Sequence, residues 1–250
     1  MVAYSKQLIM FDLDGTLGKS KCPLDPEMEQ LLNKLIQQKK VAIISGGGYP
    51  QFQTQVIRAF PTDENFTNLF LLPTSGTRLY SWRGTWNEQY AEHLSPREKE
   101  KIMMSFHAAL IQAGHTQPTR TYGPIIEDRG SQITFSALGQ QAPVEEKMLW
   151  DPDRTKRNTI VSFLQQRLPE FDVRIGGSTS IDVTKKGVNK AYGIRKIEEF
   201  LHLSPDDIVF VGDTLFPGGN DYPAKATGVD CIPVKNPEET KQLIRSWISD

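Results

Sequence analysis

Cysteine is scarce in this chain. Cys22 and Cys231 are the only two in 250 residues, and neither stands at ligand spacing from another cysteine or a histidine. With four scattered histidines besides, no zinc site is expected. Charge of either sign is not in excess: 29 basic against 30 acidic residues leave a net −1. That balance offers no electrostatic footprint for nucleic acid and no basic face for a membrane. Long apolar runs are missing too; Leu69 to Leu72 is typical of the longest, far below the length that spans a bilayer. The first fifteen residues, MVAYSKQLIMFDLDG, lack the layout of a leader peptide. Reduced thiols and a cytoplasmic location are the expectation. What is present is ordinary: 38% apolar and 24% charged residues, which excludes a disordered chain, a collagen and a coiled coil.

The patterning falls into three stretches. Gln7 to Phe11 reads as a buried strand running into Asp-Leu-Asp-Gly. A helix from Pro26 to Lys40 comes next, with Asp25 as N-cap and apolar residues at helical spacing. A strand over Val41–Ile44 ends at Ser45-Gly46-Gly47-Gly48, then come a helix over about 50–60 and a strand over Leu69–Leu72. This is the βαβ rhythm of a parallel sheet. The rhythm breaks near residue 81. Trp82 to Trp86 reads as a hairpin, Ser95 with Glu98 opens a long helix, and residues 124–138 and 171–183 read as two strand pairs around a second helix over 153–168. From Asn189 the first rhythm resumes, with a helix to about Leu201, a strand over Ile208–Val211, a short strand over Cys231–Val234 and a terminal helix over 238–248.

The chemistry gathers where strands end. In an open parallel sheet, ligands sit beyond the carboxyl ends of the strands, so Asp12, Asp14, Ser45, Asp213 and Asp221 should converge on one edge. Carboxylates so close repel unless a divalent cation neutralises them, and an all-oxygen set favours Mg2+ completed by a phosphate. One carboxylate can then attack phosphorus while another shuttles a proton. Each feature has a plainer reading: acids capping a turn, glycines at a flexible strand-to-helix junction, and, for Lys190, a solvated surface lysine.

Taken together, Asp12-Leu-Asp14-Gly-Thr16, Ser45, Lys190 and Gly212-Asp213 resemble the four ordered motifs of the haloacid dehalogenase (HAD) superfamily. Residues 217–221 (Pro-Gly-Gly-Asn-Asp), Glu127-Asp128-Arg129, and Gly176-Gly177 with Ser180 and Asp182 resemble more narrowly its eukaryotic-type phosphomannomutase branch. The resemblance implies an α/β fold: a HAD-like doubly wound (Rossmannoid) parallel-sheet core, residues 1–81 and 188–250, with an inserted α+β cap domain, residues 82–187. It implies Mg2+ as cofactor. Asp12 would be the nucleophile and Asp14 the general acid/base, its backbone carbonyl also on the metal. Asp213 and Asp221 would complete the metal set; Ser45, Gly46 and Lys190 would hold the phosphate, Lys190 also serving catalysis. Arg129, Ser180 and Asp182 would contact a sugar phosphate from the cap.

The chain departs from that branch at three positions. Lys21, Gln140 and Lys147 stand where the branch carries arginines, and neither lysine nor glutamine reproduces a bidentate arginine fork on phosphate. Arg83, Arg120, Arg154 and Arg174 are candidate substitutes. The sequence is therefore expected to encode a phosphatase acting on a small sugar phosphate through an aspartyl-phosphate. The alternative is a phosphomannomutase interconverting mannose 6-phosphate and mannose 1-phosphate; more remote is a non-catalytic binding protein on the same fold. The partner is a small phosphorylated metabolite, and the chain is a monomer or a cap-mediated homodimer.

Overall fold

The computed structural model describes residues 5–60, 66–116 and 118–248. The first four residues of the fifteen that lack a leader layout lie outside them. In chain order the elements are β1 (Leu8–Asp12), α1 (Pro26–Gln38), β2 (Lys40–Ile44), α2 (Tyr49–Gln55), β3 (Leu69–Leu72), β4 (Arg78–Trp82), β5 (Trp86–Ala91), α3 (Pro96–Gln112), β6 (Ile126–Asp128), β7 (Gln132–Ser136), α4 (Val144–Trp150), α5 (Thr155–Arg167), β8 (Phe171–Ile175), β9 (Ser180–Lys185), α6 (Lys190–Leu201), β10 (Ile208–Gly212), β11 (Asp230–Pro233) and α7 (Pro237–Arg245). They form two compact units, residues 1–91 with 188–250, and residues 92–187.

The first unit is a seven-stranded sheet in the order β11-β10-β1-β2-β3-β4-β5. The five strands from β11 to β3 are parallel, while β4 pairs antiparallel with β3 and β5 antiparallel with β4. Strands β10, β1, β2 and β3 read as nearly unbroken apolar runs because both faces are covered. Ile9, Phe11, Val41, Ile43, Leu69, Leu71, Val209 and Val211 pack with α1, α2 and α7. The alternate residues Leu8, Met10, Ala42, Ile44, Phe70, Leu72, Ile208 and Phe210 pack with Ile194 and Ile197 of α6. Helices on both faces make this the doubly wound α/β sheet expected. Helix starts obey local chemistry: Asp25 accepts the Glu27 and Met28 amides at 3.1 and 3.0 Å, with Pro26 at the first helical position. Asn189 caps α6 through the Tyr192 amide at 3.1 Å, which fixes Lys190 at the first turn.

The second unit is an antiparallel sheet, β6-β7-β9-β8. One face, with Ile133, Phe135, Val173, Ile181 and Val183, packs on Ile102, Phe106, Ile160 and Leu164 of α3 and α5. By register the opposite face carries Glu127, Thr134, Ser136, Ser180, Asp182 and Arg174. Ser95 and Glu98 form the expected capping box at α3, with bonds of 3.3 and 2.6 Å.

Three details differ from expectation. The sequence pattern puts the hairpin around Trp82–Trp86 at the start of the insertion, yet β4 pairs with β3 and extends the first sheet. The break between units therefore falls after Ala91 rather than residue 81. The helix expected to reach residue 60 ends as α-helix at Gln55 and continues as a 3-10 turn over Ile57–Ala59. Helix α4 is not expected from the pattern: only Lys147 of its seven residues is buried, so no amphipathic signal marks it. No helix among the described residues is long and apolar enough to cross a membrane.

Candidate active site

The first unit brings its candidate residues to the carboxyl edge of the sheet. Asp12 ends β1, Ser45 comes directly after β2, and Asp213 directly after β10. The strand order turns around β1, with β2 on one side and β10 on the other, which is the crevice where open α/β sheets bind ligands. Carboxylate oxygens from Asp12, Asp213 and Asp221, one from each, all lie within 4.8 Å of one another. Glycine makes the approach possible at Gly15, where φ is +93° and an added Cβ would overlap the Asp213 carboxylate.

Lys190 is the counter-ion of this cluster. Its side chain is 2% exposed, so it is no surface lysine. Nζ donates to Asp12 Oδ1 and to the Ile44 carbonyl at 3.0 Å, and lies 3.4 Å from Asp221 Oδ1. Burial would lower its pKa, but Asp12 and Asp221 outweigh burial and hold it raised and charged. Burial pushes Asp12 up to about 8; Lys190 pulls down against it, while Asp221 and Asp213 push further up. Burial, then Asp221, pushes Asp213 up to about 6. One lysine is too little positive charge for three clustered carboxylates.

The donor set fits a hard divalent cation on one further observation. Asp221 is fully buried. Its Oδ2 accepts the Thr214 amide at 3.1 Å and the Thr214 hydroxyl at 2.9 Å, but its Oδ1 has no hydrogen-bond donor. A buried carboxylate oxygen with no hydrogen bond, whose one positive neighbour is the Lys190 ammonium at 3.4 Å that Asp12 already engages, is chemistry for a cation.

Asp14 behaves differently from the other acids and gives no carboxylate oxygen to the cluster; the metal contact expected of it is its backbone carbonyl. Its Oδ1 accepts the Lys21 amide at 2.8 Å and Gln55 Nε2 at 3.3 Å, and its Oδ2 accepts Gln51 Nε2 at 3.0 Å. The two glutamines lie one turn apart on α2 and also bond each other. Neither is among the residues expected from the sequence, although their spacing of four on one helix is a readable signal. Ser45 is buried; its Oγ accepts the Gly47 amide at 3.1 Å and its carbonyl accepts the Ser75 amide at 2.9 Å. Gly46 lies between them in the loop leading to α2.

In the second unit, Ser180 and Asp182 lie on β9 and Arg129 at the turn between β6 and β7. Ser180 Oγ is 3.1 Å from Ser136 Oγ, Asp182 Oδ1 accepts the Thr134 hydroxyl at 2.7 Å, and Arg129 pairs with Glu127 at 2.8 Å. Gln140 Nε2 donates to Ser136 Oγ at 2.5 Å, and the buried Lys147 donates from Nζ to the Gln140 carbonyl at 2.8 Å. The four candidate substitutes, Arg83, Arg120, Arg154 and Arg174, are all exposed. Among them Arg174 pairs with Asp172 at 2.9 Å and Arg120 lies over the Tyr122 ring at 4.6 Å. Among the described residues the buried arginine is another one, Arg157.

Comparison with known proteins gives a consistent family. A model of the eukaryotic phosphomannomutase family matches residues 28–249. The phosphomannomutase of Spinacia oleracea is 28% identical over 227 residues, covering 89% of this chain and 87% of that protein. Phosphomannomutase 1 of Mus musculus is 26% identical over 220 residues, covering 86% and 81%. Among solved structures, an N-terminally truncated Plasmodium falciparum IMP-nucleotidase superposes with a TM-score of 0.71 at 15% identity, over 98% of this chain and 71% of that one. A haloacid dehalogenase-like hydrolase from Bacteroides thetaiotaomicron gives 0.61 at 14% identity, over 97% and 99%. At such identities the solved structures speak for the fold, which is HAD-like.

Proposed function

The chain belongs to the eukaryotic phosphomannomutase family, and on that premise we propose that it is a Mg2+-dependent phosphotransferase that moves a phosphoryl group on a hexose phosphate, interconverting mannose 6-phosphate and mannose 1-phosphate. The observation that carries the chemistry is the buried Asp12 carboxylate, in contact with Lys190 and packed beside Asp213 and Asp221. Family membership favours this mutase reading over the phosphatase expected from the sequence.

An Asp12 oxygen attacks phosphorus in line as the ester P–O bond breaks, leaving an aspartyl-phosphate. A proton passes from the Asp14 carboxyl to the departing sugar oxygen. In the second half a hydroxyl of the sugar attacks the acyl phosphate, and Asp14 takes its proton, so the balance closes. Lys190 compensates charge on Asp12 and the phosphoryl oxygens, and Ser45 with Gly46 receives the phosphoryl group. Asp12, Asp213, Asp221 and the Asp14 carbonyl would hold Mg2+, whose charge, when bound, offsets that of the transferring phosphate. Gln51 and Gln55 fix the direction of the Asp14 carboxyl. Arg129, Ser180 and Asp182 bind the part of the sugar phosphate that does not react.

Net hydrolysis, with water taking the place of the sugar hydroxyl, is the second reading. Gln140 and Lys147 favour it: where the branch offers arginine forks, this chain has an amide bonded to Ser136 and an ammonium bonded to the Gln140 carbonyl.

One assay separates these readings. Mannose 1-phosphate and Mg2+ are supplied with and without a hexose bisphosphate, and mannose 6-phosphate and free phosphate are both monitored. Conversion without phosphate release is the expected result; release without conversion selects the phosphatase, and no turnover across phosphate esters selects a binding protein. Asp12→Asn is expected to abolish both turnover and phosphoenzyme while the fold persists, and turnover at the wild-type rate in that variant would refute the nucleophile.

A further inference from the structure

We propose that Arg157 is a positioning residue: through Asp151 and the Gly176–Gly177 turn it sets the placement of Ser180 and Asp182. The proposal rests on the sugar-phosphate reading above for what those two residues bind. All the groups involved belong to residues 92–187.

Arg157 lies in the first turn of α5 and is 2% exposed, as is Asp151. Four of its five N–H groups are committed, along two directions. Nε donates to Asp151 Oδ2 at 2.8 Å and Nη2 to the Asp151 carbonyl at 3.1 Å. Nη1 donates to the Gly176 carbonyl at 3.1 Å and to the Gly177 carbonyl. Asp151 in turn accepts the Lys156 and Arg157 amides at 3.0 and 3.1 Å, so it caps α5 while it orients the guanidinium. The arginine fork thus ties the start of a rigid helix to two successive carbonyls of the β8–β9 turn.

That turn controls the first residues of β9. The Gly176 amide donates to the Ser180 carbonyl at 2.9 Å, closing the hairpin. Gly176 also lies against Asp182: an added Cβ would meet Asp182 Oδ2 at 2.9 Å and Ser180 Cβ at 3.2 Å. A shift of the turn therefore moves the floor under both side chains. Local bonding alone does not select this conformation, because it leaves the buried Thr179 hydroxyl without a hydrogen-bond partner. Stability alone does not call for the ion pair either. A well-packed apolar pair commonly serves as well or better in a buried position. What an apolar pair cannot do is donate to two carbonyls while holding Asp151, and lysine lacks the spread of planar donors that does both at once.

Two variants separate positioning from simple support. Arg157→Lys keeps the charge opposite Asp151 and loses the fork. Arg157→Met with Asp151→Asn removes both charges and keeps a side-chain oxygen to cap α5. Each is compared with wild type for kcat and KM on mannose 1-phosphate, for hydrolysis of p-nitrophenyl phosphate, and for exchange of the Gly176 amide. The expected result is a KM for mannose 1-phosphate raised about tenfold, with kcat and aryl phosphate hydrolysis within about twofold of wild type. Exchange at Gly176 is expected to accelerate about tenfold as well. Unchanged KM and unchanged exchange would overturn the proposal, and should the double variant not fold, Arg157→Lys decides alone. A wild-type enzyme that hydrolyses the aryl ester but ignores mannose phosphates would refute the sugar-phosphate reading instead, and exchange at Gly176 would still decide whether Arg157 holds the turn.

Discussion

Gly193→Ala sets two physical effects of opposite sign against each other. Gly193 sits inside α6, one turn beyond Lys190. Replacing a helical glycine by alanine stabilises an open site by about 1 kcal/mol. Here the site is closed. An added Cβ would overlap Ile44 Cδ1 outright, and would lie 3.0 Å from the Ser75 carbonyl oxygen and 3.3 Å from Gly76 Cα. Ile44 is fully buried at the end of β2 and cannot swing away. Ser75 and Gly76 belong to a run with φ of +50° at Thr74, +58° at Ser75 and +85° at Gly76, backbone that has few other conformations to retreat to. Overpacking against such neighbours costs up to about 3 kcal/mol. The net expectation is a loss of about 2 kcal/mol, or about 4–8 °C in the thermal midpoint for a chain of this size. Ile44→Val removes the overlapping Cδ1 and costs about 1 kcal/mol alone. The double variant should therefore lie about 1 kcal/mol below wild type rather than 3, a coupling of about 2 kcal/mol. Activity should show the same order, because lifting α6 withdraws Lys190 from Asp12. Denaturant and thermal unfolding of the four proteins measure this. A stabilised Gly193→Ala variant would show that α6 presses on none of these neighbours, and strict additivity in the double would show that it does not press on Ile44.

Separate parts of the molecule give further expected outcomes. Mg2+ at about a hundred times its dissociation constant should raise the thermal midpoint by about 5–10 °C, and Asp221→Asn should remove that rise; a midpoint indifferent to Mg2+ in the wild type counts against the cation site. Lys241 is buried between Asp25, Glu27 and Glu238 at 2.9, 3.0 and 2.7 Å, and burial opposes a charge that the three carboxylates restore, so its pKa is raised. Lys241→Met should lower the midpoint by about 2–4 °C, less in high salt, because the acids are partly exposed. His115 packs edge-on against Phe135 and Trp150, and burial, with the Lys156 charge, lowers its pKa below the ordinary 6.5. The folded state thus binds this proton less readily than the unfolded state, so stability is complete above pH 6.5 and falls as the pH drops below it. Unfolding measured from pH 7.5 to 5 should show this loss in the wild type and a shallower one in His115→Phe.

How much of the molecule is legible in its sequence depends on the distance over which each feature is decided. The parallel strands of the first sheet and the Asp25 and Ser95 caps are settled by neighbours in the chain, and they stand where the pattern puts them. Lys190 is intermediate. Its own surroundings, Asn189 before it and a helix after it, describe a surface position; only the order of the motifs places it at the site, and burial beside Asp12 depends on residues 178 positions away. The hairpin of β4 and β5 is a hairpin locally, but its membership of the first sheet rests on Phe70 facing Ser81, a pairing no local signal encodes. Gln51 and Gln55 are readable as a pair on one helix face, yet nothing near them says that the face meets Asp14. Arg157 is the sharpest case. Helix α5 has almost no apolar stripe, so an arginine in it looks solvated, and the sequence offers Arg83, Arg120, Arg154 and Arg174 instead. The fold buries Arg157 because one side chain six residues back and two carbonyls some twenty residues ahead converge on it. Charge composition carries the same lesson. A net of −1 says nothing of three carboxylates sharing one lysine, since that concentration exists only once β1 and β10 are paired.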